Sequence, residues 1–276
     1  MFQLSTPTVL LLLFCFYGLT FLVSLRVGRK DENVDGYMVS NNSIGFGMAA
    51  ASMTATWIWA ASFYAAASSG YKFGLSGALH YGFWGALMIL FIYPFGRRFR
   101  ELAPKAHTLA EIMHARHGRS SQMILAGSNI VGSMISLMVN FTAAGALVAV
   151  LSPLSFIHGV LIAGFGILGY TIWSGFRSSV LTDFGQLIAM IFAAVVIIPI
   201  IFFQLGGPEL FARGMPNISA EQASFYSKTA ILEQGAPYFV AVLAYAIGNQ
   251  TIAQRLFAVR EDLMKSTFVT ATIRYA

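Results

Sequence analysis

Seven stretches of the sequence, each about 20 residues long or longer, are rich in apolar side chains and nearly free of charge. Crossing the hydrocarbon core of a bilayer takes roughly 20 such residues in a helix. Lipid offers no partners to backbone amides and carbonyls, and no alternating pattern favours a barrel, so each stretch is predicted to be helical. The sequence therefore predicts an all-α, polytopic membrane protein with about seven complete crossings and the start of an eighth. The stretches are 7–25, 45–69, 76–95, 121–150, 155–174, 180–204 and 236–254, and the eighth begins near 262.

The distribution of basic residues predicts the orientation of these crossings. Only 10% of the residues are charged, and the formal net charge is +6. With the N-terminus outside, 13 of the 17 Lys and Arg residues fall in inward connections, which is the positive-inside asymmetry of membrane proteins. The sequence thus predicts a multi-pass protein of the cell (plasma or inner) membrane, surrounded by the lipid bilayer. The basic residues need no nucleic-acid partner to explain them.

The stretch 45–70 differs from an ordinary lipid-facing helix. Eighteen of its 26 positions are Gly, Ala, Ser or Thr, and Trp57 and Trp59 lie among them. Small residues let neighbouring helices approach the backbone closely. The stretch is therefore predicted to be the central helix of a bundle, where a transporter would hold its cargo. Because Trp57 and Trp59 are two residues apart, at most one of them can face a common cavity.

The sequence contains no pattern typical of an enzyme. It has no nucleophile–base pair, no phosphate-binding loop and no paired catalytic carboxylates, so no catalytic residue is predicted. His114 and His117 share a helical face near His107, but no cysteine or second carboxylate completes a ligand set there. No resident metal or cofactor is predicted. Thr108 and Glu111 have the spacing of a capping box, which predicts that a helix starts at Thr108.

Two polar groups lie at membrane depth. Asp183 is near the inner end of the sixth stretch, where an ionisable residue can mark an ion pathway. A helix N-terminal carboxylate favoured by the macrodipole and by Arg177 is an equally open interpretation. In the seventh stretch, the amides of Asn249, Gln250 and Gln254 can contact either a polar solute or unwound backbone. Gln254 and the following Arg255 are expected to end that helix and to anchor it at the membrane interface.

Three segments of the chain resemble the sodium:solute symporter family. The first segment is the second crossing and its exit. The second resembles the glycine, Thr-Asp and Gln pattern that links the fifth and sixth helices in that family. The third resembles the Gln-Arg ending of the family's seventh helix. The segments are Thr56-Trp57-Ile58-Trp59-Ala60-Ala61 through Gly70-Tyr71-Lys72-Phe73-Gly74, Ser174-Gly175-Phe176-Arg177-Ser178-Ser179-Val180-Leu181-Thr182-Asp183-Phe184-Gly185-Gln186, and Asn249-Gln250-Thr251-Ile252-Ala253-Gln254-Arg255.

The resemblance implies a leucine-transporter-like bundle of inverted repeats that is truncated, because the chain corresponds to about half of a family member. Residues 1–44 would form an extra N-terminal helix with a cytoplasmic loop, and 45–204 the first five-helix repeat. Residues 205–235 would form an extracellular loop, and 236–276 the start of the second repeat. In such bundles, broken helices expose carbonyls to ions and solutes at the membrane midplane.

The resemblance also implies roles for particular residues. The sodium-coordinating backbone carbonyls of the family fall at Ala51 and Thr54, and its cation-release carboxylate falls at Asp183. The side chains expected to face the substrate are Met53, Trp57, Asn249 and Thr251. Proline-transporting relatives have an Asp near the position of Met53. Because this chain has no Asp there, the resemblance does not imply tight sodium dependence, and either sodium or a proton remains open as the coupling ion.

The function implied is cation-coupled secondary transport of a small polar solute by alternating access. Two segments look most like the urea and polyamine permeases, which makes urea the first solute to consider. Two alternatives remain open, namely the membrane input domain of a sensor kinase and a non-functional truncated permease. The segments are Gly70-Tyr71-Lys72-Phe73-Gly74 and Ala103-Pro104-Lys105-Ala106-His107-Thr108-Leu109-Ala110-Glu111.

Overall fold

A computed structural model describes residues 3–27 and 33–275 of the chain. Within these residues the secondary structure is helical, and no strand is present beyond one isolated bridge. The all-α prediction is confirmed. The helices are α1 (Thr6–Val27), α2 (Val34–Val39), α3 (Phe46–Trp57), α4 (Ala60–Leu102), α5 (Leu109–Leu151), α6 (Phe156–Phe192), α7 (Ile198–Gln204), α8 (Pro208–Gly214), α9 (Ala220–Ala223), α10 (Lys228–Ala230), α11 (Ala236–Gly248), α12 (Gln250–Ala258) and α13 (Met264–Tyr275), with π-helical turns at Ala193–Ile197 and Ile231–Gly235.

Six helical segments of the described chain are long and apolar enough to cross a membrane, which confirms a polytopic membrane protein. The sequence predicted about seven, and the difference lies in the stretch 45–69. That stretch is split between α3, which has only 12 residues, and the beginning of α4. The six segments are Thr6–Arg26, Ala61–Leu102, Leu109–Leu151, Phe156–Trp173, Gly175–Gln204 and Lys228–Gly248.

Helix α3 lies inside the assembly, as its small residues predict. Ala50, Ala51, Ser52 and Thr54 are fully buried, because α6 and α13 pack directly against it. The helix stops at Trp57. Ile58 leaves the helical angles, and Trp59 is extended before α4 begins. Packing of α3 against these neighbouring helices stabilises it, although it is short and ends inside the bundle.

Three of the long helices change direction at a glycine with positive φ. Gly74 interrupts α4 with a φ of 64°, Gly118 interrupts α5 with a φ of 81°, and Gly175 interrupts α6 with a φ of 60°. A Cβ on Gly77 would overlap the carbonyl of Ser69. In a straight helix, residues that are eight positions apart are separated by about 12 Å, so α4 cannot be straight between Ser69 and Gly77. The chain therefore doubles back at Gly74, and α4 consists of two legs.

The main hydrophobic core lies where α3, α4, α12 and α13 meet. Met53, Ile89, Leu256 and Phe268 are each nearly or fully inaccessible to solvent there. An isolated parallel bridge at the edge of this core joins the segment before α3 to the segment after α12. The amide of Ile44 donates to the carbonyl of Ala258 at 3.1 Å, and the amide of Arg260 donates to the carbonyl of Ile44 at 3.2 Å. The beginning of α3 and the end of α12 are thus fixed together.

The 205–235 connection folds back onto the turn of α4. Lys72 pairs with Glu233 at 2.8 Å, and the hydroxyl of Ser69 donates to the amide oxygen of Gln234 at 2.5 Å. Hydrogen bonds from Thr229 and Ser227 lower the pKa of the Glu221 carboxyl below its ordinary value and tie α9 to α10. The connection is therefore an ordered cover over one end of the bundle.

We predict that Gly74→Ala destabilises this cover. A residue other than glycine costs about 1–2 kcal/mol in the left-handed region, and the added Cβ would overlap the carbonyl of Gln222. Thermal unfolding in detergent should occur several degrees lower, and proteases should cleave the 205–235 connection faster. Gly70→Ala is the matched control, because a Cβ at Gly70 meets nothing within 4 Å. Equal stability of the two variants would contradict the proposed role of the turn.

Candidate cation and solute site

Two helices of the bundle are broken, and aromatic side chains beside the two breaks are in contact. The first lies at Ile58 and Trp59, between α3 and α4, and the second lies at Asn249, between α11 and α12. The ring of Trp57, the last residue of α3, lies 5.7 Å from the ring of Tyr245 in the last turn of α11, measured between centroids. Each break frees backbone groups that a continuous helix would use internally, and the two breaks are linked by this aromatic contact.

The break after α3 changes the hydrogen bonding of Thr54. The amide of Ile58 donates to the carbonyl of Ala55 at 3.2 Å, so the Thr54 carbonyl loses the amide that a continuing helix would supply. The Thr54 hydroxyl is already used, because it donates to the carbonyl of Ala50 at 2.9 Å. Ala51 lies one turn earlier in the regular part of α3, so its carbonyl remains within the helical ladder. Both predicted carbonyl ligands belong to fully buried residues.

The structure places the side chains expected to face the substrate in three different environments. Met53 belongs to the hydrophobic core and is 1% exposed. Asn249 is half-buried, and its side-chain oxygen accepts from the amide of Ile252 at 3.1 Å, which caps α12. Thr251 is exposed. The structure therefore does not bring these three side chains together around one cavity.

Trp57 remains next to both breaks. Its indole N–H is buried and has no hydrogen-bond partner among the described residues. A buried donor without a partner costs about 1–3 kcal/mol, so such groups are uncommon in native structures and call for an explanation. Its position at the end of α3 makes the indole N–H a candidate donor to an acceptor atom of a solute.

Asp183 is part of a compact polar cluster that also contains Ser52 and Arg255. The Ser52 hydroxyl donates to Oδ2 of Asp183 at 2.5 Å, and Nη2 of Arg255 donates to the same oxygen at 2.8 Å. Nε of Arg255 donates to the Ser52 hydroxyl at 2.9 Å, which closes the triangle. The side chains of Arg255 and Asp183 are only 10% and 13% exposed. The cluster joins α3, α6 and α12 through one buried ion pair.

The expectation that Arg255 anchors its helix at the interface is wrong. The guanidinium points into the bundle, where its carbon lies 5.6 Å from the ring centroid of Phe176. Nη1 of Arg255 donates to the carbonyl of Thr251 at 3.1 Å. Sequence reasoning offered Arg177 as the neighbour of Asp183 and missed Arg255, which is 72 residues away. A carboxylate at membrane depth needs a counter-charge, and this need could have pointed to a second basic residue such as Arg255.

The two glutamines of α12 contact backbone groups of the connections between crossings. The side-chain oxygen of Gln250 accepts from the amide of Leu109 at 2.9 Å, and its nitrogen donates to the carbonyl of His107 at 3.3 Å. Gln254 donates to the carbonyl of Met38 at 2.7 Å. Both amides contact backbone groups, those of α2 and of the beginning of α5, and these contacts hold α12 in place.

A groove of about 510 Å³ lies beside Gln250, against α5. None of its lining residues comes from α3, α6 or α11, so it is separate from the meeting point of the two breaks. Among the described residues, no three His, Cys, Asp or Glu side chains lie close enough to hold a metal ion. A cation in the bundle would therefore depend on backbone carbonyls, hydroxyl groups and the single carboxylate of Asp183.

The three sequence segments that carry the family resemblance contribute Trp57, Asp183 and Arg255 to this region of the bundle. The model of the sodium:solute symporter family matches residues 37–276. The chain belongs to the sodium:solute symporter family. This match confirms the resemblance. No solved structure matches the chain.

Several relatives in this family are transporters, in agreement with the prediction that the chain is not an enzyme. The sodium/pantothenate symporter of Escherichia coli is 29% identical over an alignment of 286 positions, which covers 97% of this chain and 58% of that protein. Probable urea active transporter 3 of Schizosaccharomyces pombe is 26% identical over 59% of this chain and 25% of its own length. The urea–proton symporter of Oryza sativa is 22% identical over 69% of this chain and 27% of its own length. The chain thus spans between about a quarter and little more than half of these symporters.

We predict that Gln250→Leu loosens α12. The substitution keeps a side chain of similar size but leaves the Leu109 amide without its acceptor, which costs about 1–3 kcal/mol. Thermal unfolding should shift downward by a few degrees. Lys265→Ala, at an exposed position of α13, is the control and should unfold close to the parent temperature. If Gln250→Leu unfolds at the same temperature as the control, its contacts with the connection before α5 do not stabilise α12.

Proposed function

We propose that this symporter-family protein couples the movement of a cation to the transport of a small polar solute by alternating access. The meeting of two broken helices at Trp57 and Tyr245 is the observation that carries the proposal. Breaks inside a membrane bundle are costly unless they bring backbone groups to an ion, a solute or water. A break also gives the chain a place at which one helix half can change its angle to the other, which is compatible with alternating access.

The cation path we propose runs along α3 toward Asp183. The Thr54 carbonyl has lost its helical amide and is available to a cation, and the Ala51 carbonyl lies one turn away. Ser52 lies between them in sequence and contacts Asp183. We infer that a cation held at the Ala51 and Thr54 carbonyls leaves toward the cytoplasm past Asp183.

The proposed orientation puts the N-terminus outside in the plasma or inner membrane. It follows from the asymmetry of the basic residues, 13 of 17 in inward connections. With this orientation, 45–204 acts as the first repeat, 205–235 covers the outer end, and 236–276 opens the second repeat. The relatives reported above are transporters, which favours a permease over the input domain of a sensor kinase.

Urea is the first solute to test, and pantothenate is the second. The urea proposal rests on the segments around Gly70–Gly74 and 103–111 and on the urea transporters among the relatives. Pantothenate enters because the sodium/pantothenate symporter aligns with 97% of the chain. The pantothenate relative is named as a sodium symporter, and the urea relative of Oryza sativa is named as a proton symporter. Both ions are therefore candidates for the coupling ion.

The deciding experiment measures uptake of labelled urea and of labelled pantothenate into proteoliposomes. An inward sodium gradient at equal pH and an inward proton gradient without sodium are applied separately. We expect one solute to accumulate with one of the two gradients and not in their absence. Accumulation of neither solute would remove both substrate proposals, and gradient-independent flux would contradict cation coupling.

We predict that Asp183→Asn lowers the coupled uptake at least about tenfold. The change removes the negative charge from the proposed cation path and leaves the Arg255 guanidinium buried without its carboxylate. Uptake is compared at matched amounts of folded protein. Asp262→Asn is the control, because it breaks an exposed ion pair with Arg260 that contributes about 0–1 kcal/mol. Unchanged coupled uptake by Asp183→Asn would exclude Asp183 from the cation path.

We predict that Trp57→Phe weakens solute affinity, measured at matched amounts of folded protein. The indole N–H has no partner among the described residues, so its removal relieves an unsatisfied donor, whereas a hydrogen bond to the solute would be lost. The half-saturating solute concentration should rise about 2- to 10-fold. Trp84→Phe is the comparison, because the Trp84 indole donates to Nδ1 of His80 at 3.1 Å and its loss should lower the unfolding temperature. An unchanged half-saturating concentration would exclude Trp57 from the solute site.

A further inference from the structure

Arg255 lies at the point where the cation path reaches Asp183. Its Nη2 and the Ser52 hydroxyl both donate to one oxygen of that carboxylate, Oδ2. Its Nε also occupies the Ser52 oxygen. Carboxylate and hydroxyl oxygens are the ligands that hard cations take in proteins. The guanidinium therefore uses the same two oxygen atoms that a passing metal cation would need.

A second positive charge cannot be added to this cluster without cost. Two like charges repel more strongly in a protein interior than in water, and the cluster is largely closed to water. Asp183 supplies a single negative charge, and in the part of the chain that the structure describes no group of three His, Cys, Asp or Glu side chains offers a cation a fuller set of ligands. A cation and the guanidinium of Arg255 would thus exclude each other at Asp183.

We propose that Arg255 is a tethered competitor of the coupling cation at Asp183 and Ser52, and that arrival of the cation opens the polar contacts of Arg255 with α6 and α3. The proposal rests on the proposed function, because it takes the cation path to pass Asp183. Arg255 is a positioning residue in this scheme, since it sets the occupancy of the oxygens and does not touch the solute. The ion pair connects α12 to α3 and α6 through side chains, so its opening removes the polar contact between these helices.

The surroundings of Arg255 keep the competitor close to its site. Nη1 bonds to the carbonyl of Thr251 in the same helix, and the ring of Phe176 faces the guanidinium at 5.6 Å. These two contacts do not involve the oxygens of the cluster. They can hold the guanidinium near Asp183 after it is displaced, so that it returns when the cation leaves.

The test measures binding of ²²Na⁺ to the purified protein in lipid nanodiscs, at one fixed pH and without solute. Arg255→Gln removes the competing charge and should lower the half-saturating sodium concentration about tenfold or more. A purely structural role predicts the opposite direction, because the cluster would be disordered and sodium binding weakened. Asp183→Asn combined with Arg255→Gln should abolish the gain, since the shared carboxylate is then absent.

A second measurement follows thermal unfolding in sodium and in choline. Arg255→Gln leaves the Asp183 carboxylate buried without a partner charge, so the variant should be less stable in choline and be stabilised strongly by sodium. Arg260→Gln is the control, because it breaks only the exposed pair with Asp262. It should show the same small sodium effect as the parent protein.

A milder variant covers the case in which Arg255→Gln does not fold. Phe176→Leu removes the ring that faces the guanidinium but keeps every charge, and it should tighten sodium binding about 2- to 5-fold. Sodium binding that is unchanged or weaker in the folded variants would overturn the inference, as would the absence of sodium binding from parent and variants alike. Tighter sodium binding without any urea or pantothenate uptake would sustain the inference and remove only the two substrates.

Discussion

The fold depends on how backbone groups are satisfied where two membrane helices break. Lipid provides no partners for free amides and carbonyls, so each break must be capped from within the protein. At the first break, the Ser62 hydroxyl accepts from the amide of Trp59 and donates to its carbonyl. At the second, the Asn249 side chain caps α12, and at the far end of that helix Arg100 donates to the carbonyl of Val259 at 2.6 Å. The Thr54 carbonyl has lost the amide of Ile58, and we propose this carbonyl as a ligand of the cation.

The nine-residue helix α12 connects these features. Three of its polar side chains each contact a different part of the bundle. Gln250 contacts the connection before α5, Gln254 contacts α2, and Arg255 contacts α3 and α6. The helix is also held by its buried apolar face and by the backbone bridge that joins its end to Ile44. The buried pair of Arg255 and Asp183 is the contact that a cation would change most directly, because those of Gln250 and Gln254 are neutral hydrogen bonds.

Much of the architecture could be predicted from local sequence. The apolar stretches, the capping box at Thr108 and the central position of α3 follow from composition and spacing, and the side chain of Thr108 does accept from the amide of Glu111. The number of continuous crossings was predicted less well, because hydropathy does not register a two-residue interruption such as Ile58 and Trp59. The roles of Met53, Asn249 and Thr251 came from resemblance, which gives a position along a helix but not the direction of a side chain. The partner of Asp183 was missed because Arg255 is close to it only in space.

The sequence by itself determined that this chain is helical, spans a membrane several times and belongs among symporters, because hydropathy and short motifs are properties of neighbouring residues. Only the tertiary structure decided which of its polar groups meet. Ser52, Asp183 and Arg255 come from three helices. The ring of Trp57 contacts the ring of Tyr245, and each of these residues lies just before a helix break. Such contacts depend on helix packing and on turns such as that at Gly74, and no periodicity along the chain encodes them. The physical reason is that a charge at membrane depth takes its counter-charge from whichever helix packs beside it.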